Sequence, residues 1–335
     1  MNVRALTSAS FSAALALLFA LAFVLLVCSF QSFYASAQPM STASESKYDE
    51  NCSSLKREHM LELFRNTLSN RYLPVVLPTK KILYCLIPKT GSTSFLGFLR
   101  RLEGYQDWGR NPHFLSVEND TSVNKKAKKP EDRFHWYGLH SLMHLDKPKI
   151  CEAMLSNSWT RVIVVRDPAL RLLSAWRDKI HDLGYTEAGL ENLMRIFQVS
   201  DQQALQEIGF IDFVDFLYQN RHRPDVYDVH WLPQVEFCGL RFFAKAYNHI
   251  IRVEQIAKDT KRFLQTIGYW EQIGKNYTGD GKDIFERNLS PHAHNQSKSD
   301  IQQYLTPAVL AQINEIYRED YSTLLGSVYL PKKYF

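Results

Sequence analysis

The chain has 335 residues, of which 45% are apolar and 22% charged, a composition that excludes the disordered and collagen-like classes. Its formal net charge of +5, from 40 basic and 35 acidic residues, is too small to imply a nucleic-acid partner. Five cysteines occur without a C-x-x-C spacing, which argues against a zinc framework.

The first predicted element is apolar. Phe11 to Phe30, FSAALALLFALAFVLLVCSF, runs twenty residues without a charge, long enough to span a bilayer as a helix. Arg4 precedes it and no charge follows until Glu45, so the positive-inside bias leaves 1–10 cytoplasmic and the rest luminal or extracellular. A cleaved signal peptide is the competing reading, since Ala35, Ser36 and Ala37 form an A-x-A-like site. The run exceeds a usual signal core, which favours an uncleaved type II signal-anchor over 11–30. Ser36 to Asn51 are small and polar with almost no apolar residues, so 31–54 read as a luminal stem, leaving 55–335 as one luminal catalytic domain. Glycosylation sequons at Asn51, Asn119, Asn276, Asn288 and Asn295 agree with a secretory location. There Cys52, Cys85, Cys151 and Cys238 would form one or two disulfides or stay as buried thiols, with three pairings open.

Farther along, KILYCLIP (Lys81 to Pro88) is a short apolar run ended by proline and reads as a buried strand. STSFLGFLRRL follows with Phe95, Leu96, Phe98, Leu99 and Leu102 on helical spacing. The basic run Lys125 to Lys129 reads as a solvated loop, with contact to an acidic glycan as the alternative. A second strand-to-helix unit spans Thr160 to Ile180: Arg161 to Val165 form the strand, Asp167 suits an N-cap and Pro168 a first helical position. NHIIRVE and QIAKDTKRFLQTIG make a third unit, and AVLAQINEIYREDYSTLL a late amphipathic helix. Strands alternating with helices predict an α/β protein with a mainly parallel sheet flanked by helices. Ligands in such sheets bind at the carboxyl ends of the strands.

Both punctuated turns carry anion-binding chemistry. At LIPKTGSTSF, Gly91 lets the backbone approach a ligand, Ser92, Thr93 and Ser94 offer hydroxyls at a helix start, and Lys89 adds a full charge. Lysine precedes the glycine here, whereas a Walker loop has it after its last glycine, so an ATP or GTP reading fails on spacing. The second turn offers Arg166, able to grip phosphate bidentately, and Ser174 two helical turns later. Two separate grips suit a ligand with anionic groups at both ends.

PKTGSTS, Pro88 to Ser94, followed by RDPALRLLSA, Arg166 to Ala175, resembles the two signature segments of Golgi carbohydrate sulfotransferases. These are type II membrane enzymes related to the chondroitin/dermatan and heparan sulfotransferases. The resemblance spans roughly Lys81 to Leu264 and includes HWLPQVEFC, His230 to Cys238; many animal members carry a further cysteine where Gly239 and Leu240 stand here. It implies a P-loop-NTPase-like fold, a Golgi membrane location, a glycan acceptor and 3′-phosphoadenosine 5′-phosphosulfate (PAPS) as donor, with no metal obligatory. By that resemblance Pro88, Lys89, Thr90, Gly91, Ser92, Thr93 and Ser94 hold the 5′-phosphosulfate, and Arg166 and Ser174 the 3′-phosphate.

The attacking hydroxyl needs a base. RFHWYGLHSLMHL offers His135, His140 and His144, and GLHSL resembles the surroundings of the base in heparan 2-O-sulfotransferases, so His140 ranks first, ahead of His230 and Glu254. His292 and His294 lack a third nearby ligand and read as surface loop. Two rivals remain. One is an ATP-dependent secretory kinase; the other is a glycan-binding homologue without turnover, whose mark would be a damaged Lys89 or Arg166, and both are intact.

Overall fold

The computed structural model describes residues 61, 64, 73–109, 138–277, 279, 281–285 and 298–325. The apolar run 11–30, the stem, the basic run 125–129, His135, the pair His292 and His294, and four of the sequon asparagines lie outside them. None of the described helices is long and apolar enough to cross a membrane.

Five strands form one sheet: β1 (Val75–Leu77), β2 (Ile82–Cys85), β3 (His140–Ser141), β4 (Thr160–Val165) and β5 (His249–Arg252), in the order β3-β1-β2-β4-β5. The three strands expected from the alternating pattern, β2, β4 and β5, pair in parallel, with Ile82 opposite Thr160 and Val162 opposite His249. The sheet is mixed, however, because β1 lies antiparallel between β2 and β3. Only Pro78–Lys80 and the left-handed Lys81 (φ 51°) separate β1 from β2. Such a link closes a hairpin and is far too short for a parallel crossover.

Eleven residues, Ser92–Leu102, make helix α1. Its apolar stripe, Phe95, Leu96, Phe98, Leu99 and Leu102, is fully buried against Ile82, Tyr84, Val162 and Val164 of the sheet. The Phe95 ring stacks on Tyr84 at 4.7 Å; burying a side chain of this size stabilises the fold by roughly 1.5–3 kcal/mol. Alternate strand residues Leu83, Cys85, Ile163 and Val165 are buried too, so both sheet faces are covered.

Helix α2 (Lys147–Leu155) leads into β4, and α3 (Pro168–Trp176) follows it. Next come α4 (Glu187–Phe197), α5 (Phe210–Gln219), α6 (Ile256–Thr266) and α7 (Pro307–Ile316). The late helix is interrupted at Tyr317, after which the chain continues as short helical segments to Leu325. A disulfide joins Cys85, the last residue of β2, to Cys238 across 153 residues. Cys151 is disulfide-bonded as well. Asn276 is exposed, and its side-chain oxygen accepts from the Gly281 amide.

Candidate active site

The turn after β2 adopts an uncommon backbone. Lys89 has φ 68° and Gly91 φ 78°, and the left-handed form costs a lysine free energy unless its surroundings hold it there. Three side-chain bonds do so: Thr90 Oγ1 donates to the Ile87 carbonyl (2.8 Å), Arg171 Nε to that of Pro88 (2.9 Å), and Arg166 Nη1 to that of Lys89 (3.0 Å). At Gly91 a Cβ would meet nothing nearer than Ile256 Cδ1 at 3.9 Å, so the approach to the backbone is open. Helix α1 then starts with no side-chain cap and no acidic residue in its first turn. Its amide end is therefore left to favour an external anion.

The second turn is organised differently. Asp167 accepts from the amides of Ala169 (2.9 Å) and Leu170 (3.2 Å), capping α3 from within, and Pro168 takes the first helical position. Glu254, the third-ranked base, receives the Asp167 amide on Oε1 at 2.9 Å, while its Oε2 is buried with no hydrogen-bond partner among the described residues. Gln234 clasps both sides of Arg166: its Oε1 accepts from the Arg166 amide (3.0 Å) and its Nε2 donates to the Arg166 carbonyl (2.9 Å). The amides of Gln234 and Val235 in turn donate to the buried Asp320 carboxylate at 2.8 and 2.9 Å. Burial pushes that carboxyl up to about 6, against these amide bonds and the Arg171 charge. Ser174 lies half-buried on α3, one helical turn beyond Arg171.

Sequence reasoning missed Arg171. Its guanidinium is fully buried and donates to three carbonyls, those of Pro88, Leu232 (2.7 Å) and Val229 (3.2 Å). Burial lowers its pKa, with Tyr317 and Asp320 opposing. One side chain thus ties α3 to the lysine-bearing turn and to the 229–232 loop.

That turn faces a cluster of charges. Lys89 Nζ pairs with Asp178 Oδ2 at 3.0 Å, and Lys179 pairs with the same oxygen at 3.1 Å. Asp178 sits in the π-helical stretch Arg177–His181 that ends α3. Burial lowers the Lys89 pKa against the pull of Asp178, and the two lysines hold the Asp178 carboxyl low despite its burial. His230 lies close by, with Nδ1 2.5 Å from Asp228 Oδ1 and 2.8 Å from the Tyr185 hydroxyl. The structure therefore brings Pro88 to Ser94, Arg166 and His230 to one edge of the sheet. His140 is elsewhere: it is exposed on β3, opposite Val76 and two strands from β2, with its ring 5.9 Å from that of His144. Among the described residues no group of His, Cys, Asp and Glu is arranged to hold a metal ion.

The α/β frame thus presents two cationic turns on one sheet edge, one of them at a helix start without a side-chain cap. The chain belongs to the sulfotransferase family, whose sequence model, described as "Sulfotransferase family", matches residues 74–324. It is similar to carbohydrate sulfotransferase 9 of Homo sapiens, 27% identical over 215 residues covering 63% of this chain and 43% of the relative. Carbohydrate sulfotransferase 8 of Homo sapiens is 27% identical over 194 residues, 56% of this chain and 41% of the relative. Carbohydrate sulfotransferase 10 of Xenopus laevis is 26% identical over 219 residues, 57% of this chain and 56% of the relative. The chain spans about half the length of these curated relatives. No solved structure matches it.

Proposed function

We propose that the chain transfers a sulfuryl group from PAPS to a hydroxyl of a glycan, as a single-pass type II protein of the Golgi membrane whose residues 55–335 are luminal. Family membership and the names of the relatives support the reaction class and a carbohydrate acceptor. The observation that carries the donor assignment is the bond from Arg166 Nη1 to the Lys89 carbonyl, which couples the two anion grips in one site.

The residues fit such a donor chemically. Lys89, the Ser92, Thr93 and Ser94 hydroxyls and the amide end of α1 suit a 5′-phosphosulfate, while Arg166 and Ser174 suit a 3′-phosphate. In sulfuryl transfer, as in phosphoryl transfer, positioning and fixed charge provide most of the acceleration. Lys89 offsets the charge that builds on the departing phosphate, and the left-handed turn keeps it at the helix start. Its pairing with Asp178 has to loosen as the donor enters. The acceptor hydroxyl needs a base, for which the sequence resemblance nominates His140.

Calorimetric titration of the full chain with 3′-phosphoadenosine 5′-phosphate (PAP) tests the donor site. Binding of PAP with little response to ADP is expected, because only PAP offers a phosphate to Arg166. Equal affinity for both nucleotides would contradict the assignment.

A further inference from the structure

We propose that His230, oriented by Asp228 and Tyr185, is the base that takes the proton from the acceptor hydroxyl. The proposal rests on the sulfuryl-transfer reading and replaces His140 in that role.

Arg171 makes the geometric case. The same guanidinium donates to the carbonyls of Pro88 and Val229, and the next residues in the chain are Lys89 and His230. The leaving-group lysine and this histidine are thus carried on two loops fastened to one rigid fork. A line of contacts closes the circuit on the other side. Lys89 pairs with Asp178, Asp178 with Lys179, the Lys179 ammonium lies 4.6 Å from the Tyr185 ring centroid, and the Tyr185 hydroxyl reaches His230 Nδ1. His140, by contrast, stands on the edge strand two strands from β2.

The hydrogen bonds assign the tautomer. Asp228 Oδ1 lies 2.5 Å from Nδ1 and also receives the His230 backbone amide at 2.9 Å, while the Tyr185 hydroxyl sits 2.8 Å from the same Nδ1. A carboxylate can only accept, so Nδ1 carries the proton and Nε2 keeps its lone pair. Nε2 has no hydrogen bond among the described residues, and the side chain is 18% exposed. The charged or titratable groups facing this ring are Asp228, Tyr185, Lys179 and Lys89. Burial, with the two lysines adding to it, lowers the imidazole pKa against the pull of Asp228. The ring is consequently neutral near pH 7 and ready to accept.

The step balances as follows. The acceptor O–H proton passes to Nε2, the oxygen lone pair forms the new O–S bond, and the S–O bond to the 5′-phosphate of PAPS breaks with its electron pair left on the phosphate. Asp228 stabilises the imidazolium formed, which returns its proton to solvent.

The test uses the full chain, radiolabelled PAPS and a pool of desulfated glycans. His230→Gln is expected to lower kcat about 10²–10⁴-fold, with PAP affinity within about twofold of wild type and without the acid limb of the kcat–pH profile. Asp228→Asn should lower kcat less and move that limb, which a merely structural carboxylate would not do. Independently of turnover, nitrogen-resolved NMR of the imidazoles should find one signal, lost in His230→Gln, with Nδ1 protonated, Nε2 bare and a titration midpoint below the ordinary histidine value. A wild-type kcat in His230→Gln, a larger loss in His140→Gln, or an Nε2-protonated tautomer would overturn the proposal. If the wild-type chain binds no PAP, the sulfotransferase reading falls instead, and this proposal with it.

Discussion

The two strand-to-helix turns share one grammar and use their helix ends differently. After β4, Asp167 occupies the amide end of α3 with its own carboxylate, so nothing there is left for an external anion. After β2, helix α1 begins at a left-handed glycine with no side-chain cap and no acid in its first turn. The first turn can therefore bind through backbone and dipole, whereas the second offers only side chains, those of Arg166 and Ser174. A capped helix is a rigid mount, and one without a side-chain cap leaves its first amides to water or to an incoming anion.

The largest expected effect comes from cutting the tie between the turns. Arg171→Leu leaves three carbonyls without their buried donor and should cost on the order of 3–5 kcal/mol, read from urea unfolding; a loss below about 1 kcal/mol would mean that the turns are held apart from it. Lys89→Ala keeps the helix end but removes the charge, and should lower kcat about 10²–10³-fold with the fold intact by circular dichroism.

Ser92→Asp makes the first turn resemble the second by placing a carboxylate in its first helical turn. PAP affinity should fall roughly tenfold while the helix itself gains a few tenths of a kcal/mol or more. Unchanged affinity would dissolve the distinction between the turns. The second turn should also show a pH signature through Asp320, which supports Gln234 and hence Arg166. Its folded pKa, about 6, lies above the ordinary 3.8, so the folded state binds the proton more tightly. Its stabilising contribution is full below the unfolded value and is lost as pH rises through about 6. Asp320→Asn should flatten the unfolding free energy across that window, and an unaltered slope would exclude Asp320 as its source. Smallest is Asp167→Ala, expected to cost about 1 kcal/mol of stability as a lost cap, with PAP affinity affected less than by Arg166→Ala.

Much of the frame was legible because its signals are local. Lys81 to Pro88 and Arg161 to Val165 are apolar runs closed by proline, and the helices after them carry apolar stripes whose Phe95, Phe98, Leu172 and Trp176 are buried as read. Strand β1 escaped because it is three residues between Pro74 and Pro78, and β3 because two residues show no period. Asp167, Pro168, Lys89, Gly91 and Arg166 could be read at their turns. Their supports could not, since Gln234 and Asp320 reach Arg166 from 68 and 86 residues beyond their respective partners.

Some hints were present. Arg171 interrupts the apolar stripe of α3, the pattern of a cation that must find buried acceptors. Asp228 two residues before His230 is a carboxylate–imidazole spacing. The Cys85–Cys238 disulfide belongs to one of the three connectivities that sequence leaves equal. Closing a loop this long is worth on the order of 5 kcal/mol by chain entropy, and it fastens the end of β2 just before the lysine-bearing turn.

The central claim is that the two turns together hold a sulfuryl donor. Its most direct test is to incubate the purified full chain with a panel of desulfated glycans and either sulfur-labelled PAPS or terminally labelled ATP. Label is expected in glycan from PAPS, reduced about 10²–10³-fold in Lys89→Ala, and absent from the ATP reaction. Transfer from ATP alone would contradict the account.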